Sequence, residues 1–197
     1  GEYKAEFSVV DKRKSSVAIH SYEAIERESP LDIQLVLALI KSDKFDFALQ
    51  KAVEMGVSSI RPVIATRSVL NLKANRLDKK MQHWRGVITS ACEQSGRTRV
   101  PQLHPTIHFN EYLSNSKDRL NLAMLPEATQ HINELIPPTQ PISLLVGPEG
   151  GFHDDEVALM EQQSVQTIKF GPRILRAETA VIAGLALCQS LWGDLSL

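Results

Sequence analysis

Two loops in the last third of the chain combine residue types that bind and transform ligands. The first, VGPEGGFHDDE, spans residues 146–156, and the second, FGPRILRAETA, spans residues 170–180. Glycines in the first loop let the backbone approach a ligand closely or adopt a positive φ in a tight turn. Arginines and a glutamate in the second loop offer charge stabilisation and a proton acceptor. The alternative is a plain strand-to-helix turn, with an ion pair that caps the following helix.

The first loop is poorly suited to a phosphate. Its glycines lack GxGxxG spacing, and the helix predicted after it opens with Asp154, Asp155 and Glu156. Acids in a first turn suit the helix dipole, but they occupy the place where a phosphate would dock. The sequence therefore disfavours a pyrophosphate cofactor.

Apolar runs separated by helical stretches predict the elements that position these loops. The strand candidates are residues 33–40, 59–65, 120–125, 142–146 and 165–170, and the predicted helices are residues 43–55, 76–95 and about 179–192. This alternation is typical of an α/β fold with a mostly parallel sheet covered on both faces. Ligands of such sheets gather at the carboxyl ends of the strands, where a third loop, MLPEA at residues 124–128, joins the other two.

The first 30 residues predict a separate β unit. EYKAEFSVV at residues 2–10 and SVAIHSYEAI at residues 16–25 are strand candidates joined by a polar turn, and residues 26–32 form a linker.

The composition is that of an ordinary globular protein, with 43% hydrophobic and 23% charged residues among 197. No apolar run approaches the roughly 20 residues of a membrane span, and residues 1–30 lack a signal-peptide core. We therefore expect a soluble, cytoplasmic protein without a membrane partner. Cys92 and Cys188 lie in apolar contexts and are expected to be buried free thiols. The six histidines include no i, i+4 pair, so no metal site is predicted.

Basic residues are concentrated between Arg61 and Arg99. They are opposed there only by Asp78 and Glu93, and they comprise Arg61, Arg67, Lys73, Arg76, Lys79, Lys80, Arg85, Arg97 and Arg99. Such a segment suits a polyanion, and we predict RNA contacts at Arg61, Arg67, Arg97 and Arg99. A solvated helical face is the alternative.

Several motifs together resemble the RsmE family of the SPOUT superfamily. They are GPEGGF and GPRILRAETA in the two loops, with QKAVEMGV, RPVIATRS and ACEQSGR upstream, and the resemblance covers roughly residues 30–195. Two positions depart from the family pattern: Phe170, where leucine is usual, and Ala177, where threonine is common. Neither change removes a charged residue or a glycine.

The resemblance implies a SPOUT-type α/β domain at residues 31–197, with a mostly parallel sheet and a carboxyl-terminal trefoil knot. Residues 1–30 would then be the remnant of an amino-terminal PUA-like β domain and its linker. The implied activity is S-adenosylmethionine-dependent methylation of N3 of a uridine in small-subunit (16S) ribosomal RNA, performed by a homodimer. Alternatives are a non-catalytic RNA-binding module, or a SPOUT enzyme that methylates a ribose 2′-hydroxyl or a guanine nitrogen.

S-adenosylmethionine suits the first loop because it carries no phosphate, and because backbone N–H and C=O groups can read its adenine edge. On the resemblance, the predicted cofactor contacts are Leu125, Pro126, Val146, Gly147, Glu149, Gly150, Gly151, Phe170, Gly171, Ile174, Leu175 and Thr179. We expect Gly150 to need either a positive φ or a close backbone approach, so Gly150→Val should weaken binding.

The implied reaction needs a proton acceptor, because N3 of uridine carries a proton. Glu178 is the candidate base, and Arg173 or Arg176 would stabilise the developing negative charge, with Arg97 of a partner subunit as a further cation. The competing interpretation is that Glu178 pairs with an arginine and braces the turn.

The last helix predicts the dimer interface, because its apolar residues cover more than one stripe. They are Val181, Ile182, Leu185, Leu187, Cys188, Leu191 and Trp192. An interior helix would have the same pattern.

Overall fold

The computed structural model describes residues 1–68 and 74–195, without the side chains of residues 74 and 75. Of the predicted basic residues, Lys73 lies outside the described residues.

An antiparallel hairpin begins the chain. Strand β1 (Glu2–Val10) pairs with β2 (Ser15–Glu23), so the second strand begins one residue earlier and ends two residues earlier than predicted. The apolar side chains of both strands are exposed, including those of Tyr3, Phe7 and Ile19. The hairpin therefore contributes little to the core.

The rest of the chain is built on a mostly parallel sheet, as predicted. The strands are β3 (Ile33–Ala38), β4 (Ser59–Ile64), β5 (Gln102–Leu103), β6 (Ile107–His108), β7 (Leu120–Met124), β8 (Ile142–Val146) and β9 (Gln166–Ile168). Their order is β5-β4-β3-β8-β7-β9, and β6 also pairs with β4. All the pairings are parallel.

Helices cover both faces of this sheet. They are α1 (Ser42–Glu54), α2 (Ala74–Ser95), α3 (Phe109–Ser114), α4 (Asp154–Gln162) and α5 (Ala177–Trp192). Leu35 and Leu37 of β3 face the core formed with α1, α2 and α5, whereas Val36 and Ala38 face the core formed with α3 and α4. This double burial is why β3 is a continuous apolar run rather than an alternating one.

The sequence prediction missed β5, β6, α3 and a 3-10 helix at Ile132–Glu134, and it misplaced several ends. Strands β5 and β6 have two residues each and α3 has six, which is too short for a periodicity to be recognised. The last strand ends at Ile168 rather than at residue 170, and α5 begins at Ala177 rather than near residue 179. The connection at residues 169–176 is therefore about as long as expected but lies two residues earlier in the chain.

Helix α5 packs unusually close to the sheet at Gly184. A Cβ atom at this position would lie 2.7 Å from Leu144 Cδ2 and 2.8 Å from Met124 Sδ. A larger residue would displace the ends of these two side chains, so Gly184 lets the middle of α5 pack against β7 and β8 without such a shift.

Candidate functional site

The loops that follow β7, β8 and β9 surround one cavity of about 790 Å³. The carboxyl ends of parallel strands lie at the same edge of a sheet, so segments far apart in sequence converge there. The start of α1 closes another side through Lys41 and Lys44. The cavity has the size of a small-molecule site.

Most of the predicted site residues line this cavity. They are Leu125, Pro126, Val146, Gly147, Glu149, Gly151, Phe170, Gly171, Arg173, Ile174, Leu175, Arg176 and Glu178. Gly150 and Thr179 are not among the lining residues. Thr179 is exposed on α5, and Gly150 is exposed beside the side chain of Arg67.

The glycine loop contains a tight turn at Gly151. The Gly151 N–H donates to Pro148 O over 2.8 Å, and the φ of Gly151 is +70°. Gly150 has no positive φ, so the conformational reason for a glycine applies to Gly151 and the expectation for Gly150 was wrong on this point. An added Cβ at Gly150 would lie 3.5 Å from Cβ and Cδ of Arg67, an ordinary contact, so a close approach does not require a glycine there either.

Glu149 joins this loop to the beginning of α1. Its Oε1 accepts a hydrogen bond of 3.0 Å from the Lys41 N–H, just ahead of the helix. A carboxylate at this position satisfies a free backbone donor and suits the positive end of the helix dipole.

The acidic start of α4 forms its own cap. The Glu156 side chain accepts from the His153 N–H over 2.8 Å, and the His153 ring accepts from the Asp155 N–H over 3.3 Å. This capping box satisfies donors that a phosphate would otherwise bind.

Glu178 is buried at the start of α5, with only 8% of the residue exposed. The cation beside it is Lys44, whose Nζ lies 3.5 Å from Glu178 Oε1. The interpretation that Glu178 pairs with an arginine was therefore wrong about the partner. Within the described residues, Arg173 and Arg176 are exposed and form no ion pair.

Lys44 was missed in the sequence, although one signal pointed to it. The residue lies in the first turn of α1, where the helix dipole disfavours a cation. A nearby acid offsets this effect, and Asp43 lies in the same turn. The sequence did not indicate that Glu178, 134 residues further along the chain, also lies beside Lys44.

The four predicted RNA-binding arginines do not form one patch. Arg67 lines the main cavity, whereas Arg61 donates to Pro105 O over 3.2 Å and lines a separate cavity beside Tyr112. Burial lowers the pKa of Arg61 from its ordinary value. Arg99 is exposed and pairs with Glu26 over 3.1 Å.

The Arg97 side chain is buried. It is 7% exposed, and it donates to Val53 O, Val57 O and the Glu28 carboxylate. Burial alone would raise the pKa of Glu28, but the hydrogen bond and charge of Arg97 outweigh burial and lower it. The prediction that Arg97 contacts RNA or a partner's site conflicts with this burial, because its guanidinium instead fastens the linker to α1.

Both cysteines are buried free thiols, as predicted, and burial raises the pKa of Cys188 to about 12. Across residues 1–68 and 74–195, no group of three or more potential ligand side chains is placed to hold a metal ion. None of the helices in that part of the chain has the length and apolar character required to cross a bilayer.

Residues 27–189 match the model of the RNA methyltransferase domain family. The chain is also 37% identical over 170 residues to ribosomal RNA small subunit methyltransferase E of Buchnera aphidicola from Schizaphis graminum, covering 86% of this chain and 69% of that protein. The chain belongs to the RsmE family.

Two further RsmE comparisons agree with this assignment. The Bacillus subtilis enzyme of the same name is 30% identical over 194 residues, covering 94% of this chain and 76% of that protein. The crystal structure of the Neisseria gonorrhoeae enzyme, bound to S-adenosylmethionine, superposes with a TM-score of 0.92 at 36% identity. That superposition covers 98% of this chain and 80% of the other, so the family resemblance and the α/β fold are confirmed.

Proposed function

We propose that the chain is an S-adenosylmethionine-dependent methyltransferase of small-subunit ribosomal RNA, working in the cytoplasm. The observation that carries this proposal is the cavity enclosed by the ends of β7, β8 and β9, in a chain 36% identical to an RsmE enzyme solved with S-adenosylmethionine. Relatives named as small-subunit ribosomal RNA methyltransferases support the RNA class.

The cavity fits this cofactor. An added Cβ at Gly151 would meet no atom within 4 Å, so the glycine leaves open space beside the loop. Leu125, Val146 and Leu175 provide apolar walls, while the capped start of α4 offers no phosphate site. S-adenosylmethionine would supply an electrophilic methyl group on its sulfonium. The backbone of residues 147–151 would hold its adenosine.

We propose N3 of a uridine as the acceptor atom, with Glu178 as proton acceptor. Glu178 lines the cavity, and Lys44 Nζ lies 3.5 Å from its Oε1, so a cation stands beside the carboxylate that would take the proton. Arg173 and Arg176 would stabilise the negative charge that develops on the base oxygens. In-line methyl transfer requires accurate placement of both reactants, which is the main contribution of the protein.

We further propose a homodimer formed through α5 and the connection before it. On α5, Leu191 is 43% exposed and Leu187 39%, so this mainly buried helix keeps an exposed apolar side, and Ile174 in the connection before it is 85% exposed. A trefoil knot in residues 169–192 is proposed with it. In these residues the chain leaves the edge strand β9 and returns toward the centre of the sheet, where α5 packs on α1 and β8.

The proposed domain division is residues 1–30 and residues 31–197. The exposed apolar side chains of β1 and β2 suit a hairpin that belongs to a larger PUA-like β domain. Residues 33 onward contribute the buried core.

Calorimetry and product mapping test the function. We expect the chain to bind S-adenosylmethionine and S-adenosylhomocysteine with micromolar dissociation constants, about −8 kcal/mol. No heat and no competition at millimolar ligand would overturn cofactor binding. Mass spectrometry of treated small-subunit RNA should place the methyl on a uridine N3, whereas a ribose or guanine product would assign another acceptor. RNA binding without cofactor binding would favour a non-catalytic module.

A further inference from the structure

The turn after β4 is fastened to the start of α4. The Thr66 N–H and hydroxyl both donate to Glu156 Oε1, over 2.8 and 3.1 Å, while Glu156 Oε2 accepts from the His153 N–H. Glu156 is only 3% exposed, so this carboxylate depends on its three donors. The turn is also closed on itself, because the Ala65 N–H donates to Ser68 Oγ over 3.0 Å.

Arg67 extends from this turn over the glycine loop. One guanidinium nitrogen, Nη1, donates to Phe152 O over 3.0 Å and to Gly150 O over 3.2 Å. The nearest acid to Arg67 is Asp154, at 3.8 Å. Its side chain is 94% exposed, so this ion pair contributes little to holding Arg67 in place. The principal partners of Arg67 are therefore two backbone carbonyls of the loop predicted to hold the cofactor.

These contacts fix two peptide planes. A trans peptide is planar, so holding its carbonyl also directs its N–H the opposite way. The Gly150–Gly151 peptide is held by Arg67 at its carbonyl and by Pro148 O at its N–H. The Phe152–His153 peptide is held by Arg67 at its carbonyl and by Glu156 at its N–H.

One peptide remains between the two fixed ones. The Phe152 N–H and the Gly151 carbonyl have no hydrogen-bond partner within the described residues, and both residues line the cavity. Gly151 has a positive φ, so this peptide would reorient easily without its fixed neighbours.

We infer that Arg67 is a positioning residue for S-adenosylmethionine, holding the Gly151–Phe152 peptide ready to bind the cofactor, rather than an RNA contact. Thr66 and Glu156 anchor the turn from which Arg67 reaches. This inference rests on the proposed function, since it names how the same site is organised. It replaces the RNA role predicted for Arg67 and leaves RNA binding to other cations.

Three variants of the full chain separate the two roles. Arg67→Ala removes both carbonyl contacts, and Arg67→Lys keeps the positive charge on a shorter side chain that lacks the Nη1 donor to both carbonyls. Arg85→Ala is the matched control, because Arg85 belongs to the same basic segment and is exposed. Calorimetry with S-adenosylhomocysteine measures cofactor affinity, and filter binding with a small-subunit RNA fragment measures RNA affinity.

We expect both Arg67 variants to raise the cofactor dissociation constant about tenfold, with RNA affinity changed no more than in Arg85→Ala. In steady-state assays the KM for S-adenosylmethionine should rise, while kcat at saturating cofactor stays close to that of the unchanged chain. Glu156→Gln should also raise the cofactor dissociation constant. Only one end of an amide group accepts hydrogen bonds, so either Thr66 or the His153 N–H would lose its acceptor. This variant also provides a second test if Arg67→Ala folds poorly.

Two results would overturn the inference. One is a dissociation constant for S-adenosylhomocysteine that stays within twofold of the value for the unchanged chain in both Arg67→Lys and Glu156→Gln. The other is a loss of RNA affinity in Arg67→Ala that exceeds the loss in Arg85→Ala. Failure of the unchanged chain to bind S-adenosylhomocysteine would instead overturn the proposed function, so the two failures are distinguishable.

Discussion

The two walls of the cavity are built differently. The glycine loop at residues 146–153 is held by the Lys41 N–H, by Arg67 and by the cap of α4. The facing connection at residues 170–175 makes no hydrogen bond within the described residues, and its Ile174 is 85% exposed.

On the proposed function, this difference would separate two tasks. A fixed wall presents backbone groups in one orientation, so little ordering is required when a cofactor binds. On the proposed function, the facing wall with the exposed Arg173 and Ile174 would keep its groups available for RNA or for a second copy of the chain. The contrast predicts that changes in the fixed wall act on cofactor affinity, and that changes in the free wall act on turnover or assembly.

The largest effect is expected on the free wall, at Arg173. Arg173→Ala should lower kcat about 100-fold while leaving cofactor affinity nearly unchanged, because the cation acts on charge that develops only in the transition state. Glu178→Gln should also slow the chemical step. Single-turnover methyl transfer measures both, and unchanged rates in the two variants would remove them from the mechanism.

The next effect is expected on the fixed wall, at Gly151. Gly151→Val places a β-branched residue at a φ of +70°, which costs about 1–2 kcal/mol and should weaken S-adenosylhomocysteine binding roughly 5- to 30-fold. Gly150→Ala is the control, since its Cβ would meet Arg67 at an ordinary 3.5 Å. If calorimetry showed that Gly150→Ala weakens S-adenosylhomocysteine binding more than Gly151→Val does, this description of the loop would be wrong.

The smallest effect is expected on assembly. Ile174→Asp should raise the dimer dissociation constant about tenfold, because it places a charge at an apolar contact. Ile136→Asp is a matched control at an isoleucine that is 86% exposed and lies outside both walls. Sedimentation velocity measures the shift. A chain that is a 21.9 kDa monomer at tens of micromolar before any substitution would rule out the dimer.

Much of the fold and the cavity was predictable from local patterns. The runs that became β3 and β8 are apolar at nearly every position because both faces are covered, which a single sequence reveals directly. The loops after β7, β8 and β9 were recognisable because glycine, proline and charged residues interrupt such runs. Short elements such as β5 and α3 escaped, because two to six residues carry no usable period.

The roles of individual charged residues were not predictable in the same way. Arg67, Arg97 and Arg99 look alike in the sequence, yet one holds a loop, one is buried against Glu28 and one is exposed. The partner of a charged side chain depends on which distant segment folds beside it, as Lys44 and Glu178 illustrate.

The sequence by itself determined the element types, the parallel sheet and the loops at its carboxyl edge, because burial and turn formation leave periodic, local traces. Only the tertiary structure decided which peptide of the glycine loop remains free and which cation stands beside Glu178. Hydrogen bonds and ion pairs act over a few ångströms between residues up to 160 positions apart, so no local pattern encodes them.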